Sequence, residues 1–381
     1  MNQMSLGVMA RSRKENEHRL ALHPRHLSRI PADLRGSVYL ERGYGDRFGM
    51  ADEQLKGWVA GFRSREQLIE ECDIILQPKP LLSDIAELRV GQVLWGWPHC
   101  VQDEELTQVA IDRKLTLIAF EAMNYWNSDG SFSLHVFHKN NELAGYCSVL
   151  HALQLAGATG DYGRKLRAVV IGFGATARGA VTALNALGVH DVDVLTHRGA
   201  SAVAAPIHSA RLVHFDDATA SRPSFAVTEK GTVPLAGFLA EHDLIVNCVL
   251  QDTDAPLMFM TDDDLAHMTP GTLVVDVSCD EAMGFSWARP TSFNDPTFVV
   301  GDNVLYYAVD HSPSYLWNSA TWENSEALLP FLPKVLAGAQ AWDADPTIRR
   351  AIEIRDGIIQ NPAILSFQNR APTHPHWPLA T

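Results

Sequence analysis

The chain has 381 residues with 46% hydrophobic and 20% charged residues, a globular composition with enough length for two domains. A formal net charge of −14 argues against a nucleic-acid partner, because such proteins need a basic surface that replaces counterions. Five scattered cysteines form no CxxC pair, so we expect reduced thiols and no metal site. No apolar run could span a bilayer and no signal peptide is recognisable, so we expect a cytoplasmic protein without a membrane partner.

The N-terminal part of the chain alternates strand patterns with helix patterns. A charge-dense stretch from Lys14 to Arg19 precedes them, and a plain solvated loop or helix start would look the same. Helical patterns cover 51–62 and 102–114, between predicted strands at 37–41, 73–79, 92–97 and 115–121. This alternation predicts a mostly parallel sheet, in which ligands bind at the carboxyl ends of the strands.

Reactive side chains follow three of these predicted strands. Lys79 lies between two prolines that would fix its backbone, and His99 follows Trp97-Pro98. A lysine or a histidine taken alone is more often a surface or a core residue, but two at comparable ends of one sheet favour a catalytic role. Glu121 ends the next strand run, and its position there makes it a candidate substrate-binding residue.

The stretch 167–198 predicts a nucleotide-binding crossover. An apolar run ending at Ile171 leads into a G-x-G-x-x-A turn, a helical pattern and a second strand at 192–196. That context makes the glycine motif specific, since the glycines allow a tight turn and close approach of a pyrophosphate to a helix N-terminus. A crossover that binds no ligand is the alternative. The predicted cofactor-binding residues are Gly172, Gly174, Ala175, Thr176, Ala177, Thr196, His197, Arg198, Cys248 and Val249.

The end of the second strand bears on which cofactor binds. NAD-specific sites usually carry Asp or Glu there for the ribose 2′-hydroxyl, whereas this chain has Thr196-His197-Arg198. Because Arg198 could meet a 2′-phosphate, we favour NADP(H) over NAD(H). Arg198 as a solvated loop charge is the alternative.

Two further buried-type strands, 244–250 and 272–278, extend the nucleotide-binding domain. Asp280 follows the second strand at a carboxyl end, although an aspartate there could equally be a helix N-cap. Helical patterns at 325–342 and 347–357 are expected to return to the first domain. We therefore predict an α/β protein of two Rossmann-like domains with parallel sheets and the active site in the cleft between them. The predicted substrate domain is discontinuous, 1–142 and 306–381, and the dinucleotide-binding domain spans 143–305.

Together these residues resemble the alanine dehydrogenase and pyridine nucleotide transhydrogenase family, which includes the lysine-forming saccharopine dehydrogenases. The resemblance covers nearly the whole chain and is carried by 14–19, Gln77-Pro78-Lys79, His99, 172–177 and 275–280. Three further stretches are similar to the N5-(carboxyethyl)ornithine synthase branch, namely 277–291, 307–314 and 367–370.

The resemblance implies roles for four side chains. By position, Arg19 matches an arginine that binds a substrate carboxylate, and Lys79 a lysine that holds the carboxyl or keto oxygen. His99 matches the acid/base histidine, and Asp280 the aspartate beside the nicotinamide and the reacting amine. Relatives range from monomer to hexamer, and we expect a homo-oligomer.

The branches of the family differ in cofactor and in product. The alanine and saccharopine branches use NAD, whereas the carboxyethylornithine branch uses NADPH, in agreement with Thr196. The aromatic segment 95–99 departs from the alanine branch and puts alanine in doubt as the product.

Three functions compete at this point. The first is an opine-type synthase that reduces the imine formed between a pyruvate-like 2-keto acid and the amine of ornithine or lysine. The second is an amino-acid dehydrogenase that uses ammonia. The third is a non-catalytic nucleotide-binding redox sensor, which would not need Arg19, Lys79, His99 and Asp280 together.

Overall fold

The computed structural model describes residues 3–197, 207, 209–216, 224–251 and 256–379, so Arg198 lies outside the described residues. The chain divides into two compact units, Met1–His138 with Trp317–Thr381, and Lys139–Leu316. The sequence-based boundaries, 142/143 and 305/306, fall a few residues after the first division and some residues before the second. The mixed α/β class with parallel-strand sheets and two domains is confirmed.

The described N-terminal part of the first unit supplies eight strands and four short α-helices. The strands are β1 (Leu6–Val8), β2 (Val38–Glu41), β3 (Gly61–Arg63), β4 (Ile74–Gln77), β5 (Val93–Gly96), β6 (Thr116–Ala119), β7 (Asn124–Trp126) and β8 (Phe132–His135). The helices are α1 (Asp52–Leu55), α2 (Arg65–Glu71), α3 (Leu82–Ile85) and α4 (Glu104–Asp112). The expected helix over 51–62 is wrong beyond Trp58, because the stretch around Gly57 and Gly61 turns into β3.

The sheet of the first unit has the order β21-β20-β6-β5-β4-β1-β2-β3, where β20 (Ile352–Arg355) and β21 (Ile358–Ile359) come from the C-terminal part of the chain. The pairs from β3 through β6 are parallel, whereas β20 runs antiparallel to β6. Strands β4, β5 and β6 are buried along their whole length, as expected for a parallel sheet covered on both faces.

The second unit contains the predicted crossover. Its strands are β9 (Arg167–Ile171), β10 (Asp191–Thr196), β11 (Arg211–Asp216), β12 (Phe225–Thr228), β13 (Gly231–Pro234), β14 (Leu244–Asn247), β15 (Met258–Met260), β16 (Leu273–Asp276), β17 (Gly284–Phe285), β18 (Thr297–Val300) and β19 (Val304–Tyr307). Its helices are α5 (His138–Leu155), α6 (Ala175–Ala186) and α7 (Leu235–Ala240). Strands β11-β10-β9-β14-β16-β19 are parallel in the order of a dinucleotide-binding fold, with antiparallel strands added at both edges.

The C-terminal segment returns to the first unit in shorter pieces than the sequence predicts. Its helices are α8 (Trp317–Leu328), α9 (Leu332–Leu336), α10 (Ala339–Ala344), α11 (Pro346–Ala351) and α12 (Pro362–Phe367). The expected helix over 325–342 is broken near Pro330 and Gly338, since proline and glycine disfavour a helix interior. The expected helix over 347–357 ends at Ala351, where the alternating run Ile352–Arg355 forms β20.

Helices α5 and α6 cross with their backbones in close contact. A β-carbon on Gly179 would lie 1.7 Å from the carbonyl oxygen of Glu142, and one on Gly145 would lie 2.0 Å from that of Thr176. Neither position can accept a side chain without moving a helix. This crossing fixes the position of α6, which directly follows the glycine turn.

Within the described ranges, no helix is long and apolar enough to cross a membrane.

We expect Gly179→Ala to destabilise the second unit strongly. The added methyl group would overlap backbone rather than a flexible side chain, and overpacking of this kind costs about 3 kcal/mol or more. Gly237→Ala is the matched control, because it lies inside α7 with no atom within 4 Å of the new β-carbon. The control should be neutral or stabilising by up to about 1 kcal/mol. Urea unfolding of both variants tests this, and equal midpoints would contradict the crossing.

Candidate functional site

Three neighbouring strands of the first unit end level with one another. Gln77 pairs with Gly96 and Gly96 pairs with Ala119, so β4, β5 and β6 finish at the same edge of the sheet. A β-carbon on Gly96 would lie 2.1 Å from the carbonyl oxygen of Gln77, so this close approach requires glycine. Lys79, His99 and Glu121 follow these ends by two or three residues. The sheet therefore brings the three predicted side chains to one edge.

His99 adopts a left-handed backbone conformation that is uncommon for a histidine. Its φ is +51°, and its backbone N–H donates to Oε1 of Glu121 over 2.6 Å. The imidazole Nδ1 lies 3.8 Å from the same oxygen, and the side chain is 42% exposed. Backbone strain persists only where neighbouring groups enforce it, and the carboxylate of Glu121 is one such group. The backbone of His99 is thus fixed, and its imidazole has access to solvent.

Arg19 is buried and paired with an acidic residue that the sequence reasoning missed. Its Nε donates to Oε1 of Glu17 over 2.9 Å, and its Nη2 donates to Oε2 over 2.5 Å. The guanidinium carbon lies 5.1 Å from the ring centroid of Trp97, whose backbone N–H donates to the carbonyl oxygen of Pro78. Arg19 therefore belongs to the same edge as Lys79 and His99. The Glu-x-Arg spacing is the signal that could have identified the pair.

Glu121 lies in a setting that disfavours its charged form. Its side chain is 25% exposed, yet Oε2 is fully enclosed and has no hydrogen-bond partner among the described residues. Burial, together with the charge of Glu353, raises the pKa of Glu121 to about 8, against the His99 N–H bond and the charge of Lys79. Lys79 is half-buried, and its carbonyl oxygen accepts a hydrogen bond from the Ser12 hydroxyl over 2.7 Å.

A cavity of about 620 Å³ opens beside the N-terminal loop of the first unit. Positively charged, negatively charged and neutral polar residues line it, among them Arg11, Lys14, Glu17, His18, Tyr44 and Arg47. Its volume falls in the range of small-molecule sites. Glu17, the partner of Arg19, lines this cavity, whereas Arg19, Lys79, His99 and Glu121 are not among its lining residues.

In the second unit, the glycine turn lies between β9 and α6. Gly172 has a φ of +113°, and a β-carbon there would lie 3.2 Å from the carbonyl oxygen of Cys248. Gly174 is exposed, with nothing within 4 Å of a β-carbon position, so protein packing does not require glycine there. Helix α6 begins at Ala175 without a side-chain cap. Its first N–H groups and the open space at Gly174 fit a pyrophosphate group.

The other predicted cofactor residues flank this turn. Thr196 is buried and ends β10, and the exposed His197 packs edge-on against Phe215 at 5.7 Å. The backbone N–H of Cys248 donates to Ile171, and that of Val249 donates to the side chain of Asn247. Burial raises the pKa of the Cys248 thiol. All of these residues lie at carboxyl ends of adjacent parallel strands.

Asp276 anchors the loop that carries Asp280. Its Oδ1 accepts hydrogen bonds from the Asn247 side chain and from the backbone N–H groups of Ser278 and Cys279, over 3.0, 3.1 and 3.2 Å. Its Oδ2 accepts the Tyr306 hydroxyl over 2.5 Å. Asp280 is half-buried and a turn follows it, so the helix N-cap alternative is wrong.

Burial raises the pKa of Asp276 to about 6, although its hydrogen-bond donors act in the opposite direction. Within the part of the chain that the structure describes, no group of three or more His, Cys, Asp or Glu side chains could hold a metal ion.

Two family models match the chain. The model described as "Alanine dehydrogenase/PNT, N-terminal domain" matches residues 7–144, and the corresponding C-terminal domain model matches residues 155–362. The alanine dehydrogenase of Halomonas elongata is 28% identical over 370 residues, covering 92% of this chain and 93% of its own. Those of Mycobacterium tuberculosis and Geobacillus stearothermophilus are 24% and 26% identical, covering 93% and 98% of this chain and 94% and 99% of their own.

Two solved structures share the fold over nearly the whole chain. An L-alanine dehydrogenase superposes with a TM-score of 0.74 at 20% identity, covering 96% of this chain and 99% of its own. The transhydrogenase from Sinorhizobium meliloti superposes with a TM-score of 0.69 at 20% identity, covering 94% of this chain and 99% of its own. At this level of identity the likeness concerns the fold.

We expect Asp276→Asn to remove a pH dependence from folding stability. A carboxyl group whose pKa is higher in the folded than in the unfolded state contributes most to folding stability below its pKa in the unfolded state. For Asp276 that contribution is lost as the pH rises through about 6. Between about pH 4 and pH 8, the free energy of unfolding of the wild type should therefore fall by about 3 kcal/mol relative to that of the variant. Urea unfolding across that range measures it. Parallel stability curves would show that Asp276 titrates alike in both states.

Proposed function

The chain belongs to the alanine dehydrogenase/PNT family, and on that premise we propose that it is an NADP(H)-dependent oxidoreductase acting on CH–NH bonds. In the reaction we propose, a 2-keto acid such as pyruvate condenses with the amine of an amino acid such as ornithine or lysine, and the resulting imine is reduced. The observation that carries the proposal is the grouping of Arg19, Lys79, His99 and Glu121 at one edge of the first sheet.

The side chains of the first unit suit imine chemistry. Arg19, oriented by Glu17, would hold the carboxylate of the keto acid, and Lys79 would polarise its carbonyl oxygen. His99 would give and take the protons required for imine formation, since an imidazole titrates near neutral pH. Glu121 would contact the amine, and Asp280 of the second unit would act on the reacting nitrogen.

The bound cofactor would supply the hydride that reduces the imine carbon. Gly172, Gly174, Ala175, Thr176 and Ala177 would hold its pyrophosphate at the start of α6. Thr196 and His197 support NADP(H) over NAD(H), because a carboxylate at the end of β10 would bind a 2′-hydroxyl and repel a 2′-phosphate. Cys248 and Val249 would border the nicotinamide end.

Two features support an amino acid rather than ammonia as the amine. The 620 Å³ cavity beside Glu17 is lined by charges of both signs, which suits a zwitterion with a further ionic group. The segment 95–99 is rich in tryptophan, and Trp97 packs against Arg19. Reduction of the imine formed with ammonia, as in the relatives named alanine dehydrogenase, is the second candidate function.

We expect NADPH oxidation to require both a keto acid and a diamino acid. Initial rates are measured with pyruvate and ornithine, lysine or ammonia, each with NADPH and with NADH. Ornithine or lysine with NADPH should give the highest kcat/KM. If ammonia alone supports the full rate, the enzyme is an amino-acid dehydrogenase of the second kind. If no pair of these substrates oxidises either cofactor, the proposed reaction is wrong.

We expect His99→Asn to slow the chemical step about a hundredfold or more, because a positioned general acid/base contributes that much. Asparagine tolerates a left-handed backbone, so the bond from residue 99 to Glu121 can persist in the variant. His267→Asn, at an exposed position of the second unit, is the control and should leave the rate unchanged. Single-turnover absorbance of NADPH measures the step. Full retention of imine reduction would remove His99 from the scheme.

A further inference from the structure

The cavity of about 620 Å³ in the first unit is built by the loops that follow β1 and β2. Its lining residues come from two stretches, 10–20 and 43–48. Strand β1 lies between β2 and β4, and Val8 pairs in parallel with Leu40 on one side and with Leu76 on the other. The loops after these three strands therefore leave the sheet at the edge that carries the candidate catalytic side chains. The cavity lies on the β1 and β2 side of that edge.

Two residues of the cavity wall also contact Lys79 and Arg19. The hydroxyl group of Ser12 donates to the carbonyl oxygen of Lys79 over 2.7 Å, and the carboxylate of Glu17 accepts two hydrogen bonds from the guanidinium group of Arg19. Ser12 and Glu17 both line the cavity. A ligand in the cavity would therefore lie one residue away from the two side chains that would bind the keto acid.

The cavity carries an excess of positive charge in a chain whose net charge is −14. The carboxylate of Glu17 is already balanced by the buried guanidinium group of Arg19. Three cationic residues then remain against one further carboxylate. Because the overall field of the protein repels anions, an anionic group requires such a local excess of cations. The charged residues that line the cavity are Arg11, Lys14, Glu17, Asp46 and Arg47.

Two arginine side chains are available to a ligand in this cavity. Within the described part of the chain, neither Arg11 nor Arg47 pairs its guanidinium group with a carboxylate, and that of Arg47 lies 5.7 Å from the ring centroid of Trp317. The buried Glu41 fixes the backbone before them, since its Oε2 accepts the N–H groups of Ala10 and Arg11 over 2.7 and 3.2 Å. A guanidinium group matches a carboxylate with two parallel N–H donors. Both side chains can therefore bind a carboxylate.

Asp46 places a negative charge close to Arg11. A β-carbon on Gly43 would lie 2.6 Å from Oδ2 of Asp46 and 3.7 Å from Nη2 of Arg11, so the two charged groups flank one point of the cavity wall. Gly43 has a φ of +76°, and its backbone N–H donates to the carboxylate of Asp52 over 3.1 Å. An amino acid carries its α-carboxylate and its α-ammonium group on one carbon. Neighbouring groups of opposite charge in the protein match that arrangement.

We propose that this cavity determines specificity for the amine substrate, with Arg11 and Arg47 binding its α-carboxylate and Asp46 binding its α-ammonium group. The rings of Tyr44 and Phe48 also line the cavity and would contact the methylene chain that carries the reacting amine. The site thus selects a diamino acid over ammonia or a simple diamine. The identity of the ligand as the amine substrate rests on the proposed function, whereas the binding of an α-amino acid does not.

Three amines separate the two contacts. Ornithine carries both α-groups, δ-aminovalerate lacks the α-ammonium group, and putrescine lacks the α-carboxylate. With pyruvate and NADPH, kcat/KM of the wild type for ornithine should exceed that for either analogue about ten- to a hundredfold, as expected for hydrogen bonds between charged groups.

Variants of the three residues should each remove one preference. In Arg11→Gln and Arg47→Gln the advantage of ornithine over putrescine should fall about tenfold or more, through KM for ornithine, with KM for pyruvate and the rate with putrescine unchanged. In Asp46→Asn the advantage over δ-aminovalerate should fall instead. Arg42→Gln is the matched control, because Arg42 is exposed in the same loop as Arg47 but does not line the cavity.

Calorimetric titration of ornithine into the full chain without keto acid supplies a readout that needs no turnover. If wild type uses ornithine but the arginine variants keep its preference over putrescine, the cavity assignment is overturned and the proposed function stands. If ornithine is not turned over but binds, and binds more weakly to the variants, the proposed function is overturned and the cavity assignment stands. If wild type neither turns over nor binds ornithine, both are overturned.

Discussion

The parallel pairing of β4, β5 and β6 is the constraint on which the rest of the first unit depends. Because Gln77, Gly96 and Ala119 lie in register, the chain leaves all three strands at one level. A side chain two or three residues further on can then reach only a small common volume. A β-carbon on Gly96 would lie only 2.1 Å from the carbonyl oxygen of Gln77, which shows how closely the two backbones approach there. Backbone geometry thus brings Lys79, His99 and Glu121 to one edge of the sheet.

In each unit, the loop that follows a parallel strand has its backbone fixed in the same way. The loop after β5 passes through His99 at a φ of +51°, and the loop after β16 passes through Cys279 at a φ of +50°. In each case a carboxyl oxygen accepts the backbone N–H of the left-handed residue, from Glu121 in the first unit and from Asp276 in the second. A buried carboxyl group is costly, but it fixes a backbone that hydrophobic packing alone would leave with alternatives. The same burial raises the pKa of both carboxyl groups.

Local patterns were sufficient to predict the glycine turn and the strands that precede the candidate residues, namely β4, β5, β6, β9, β10, β14 and β16, but not β1 and β19 of the same sheets. Apolar runs such as 168–171 are long enough to identify buried strands, and the G-x-G-x-x-A spacing identifies the turn at Gly172. Local patterns failed where tertiary pairing decided the outcome, as at 352–355, which pairs with β6 instead of continuing a helix. Glu17 was missed because its partner Arg19 was assigned to substrate alone.

The C-terminal tail explains why the His99 loop cannot be understood from its own sequence. Gln368 is buried and donates from Nε2 to the carbonyl oxygens of Cys100 and Val101 over 2.7 and 3.2 Å. Arg370, also buried, donates to Gln368 over 2.6 Å and to Gln108 of α4 over 2.7 Å. Burying a guanidinium group adds little net stability even when it is fully hydrogen-bonded, but it strongly penalises any arrangement that breaks those bonds. The tail therefore restricts the His99 loop to one position, while it adds little to the free energy of folding.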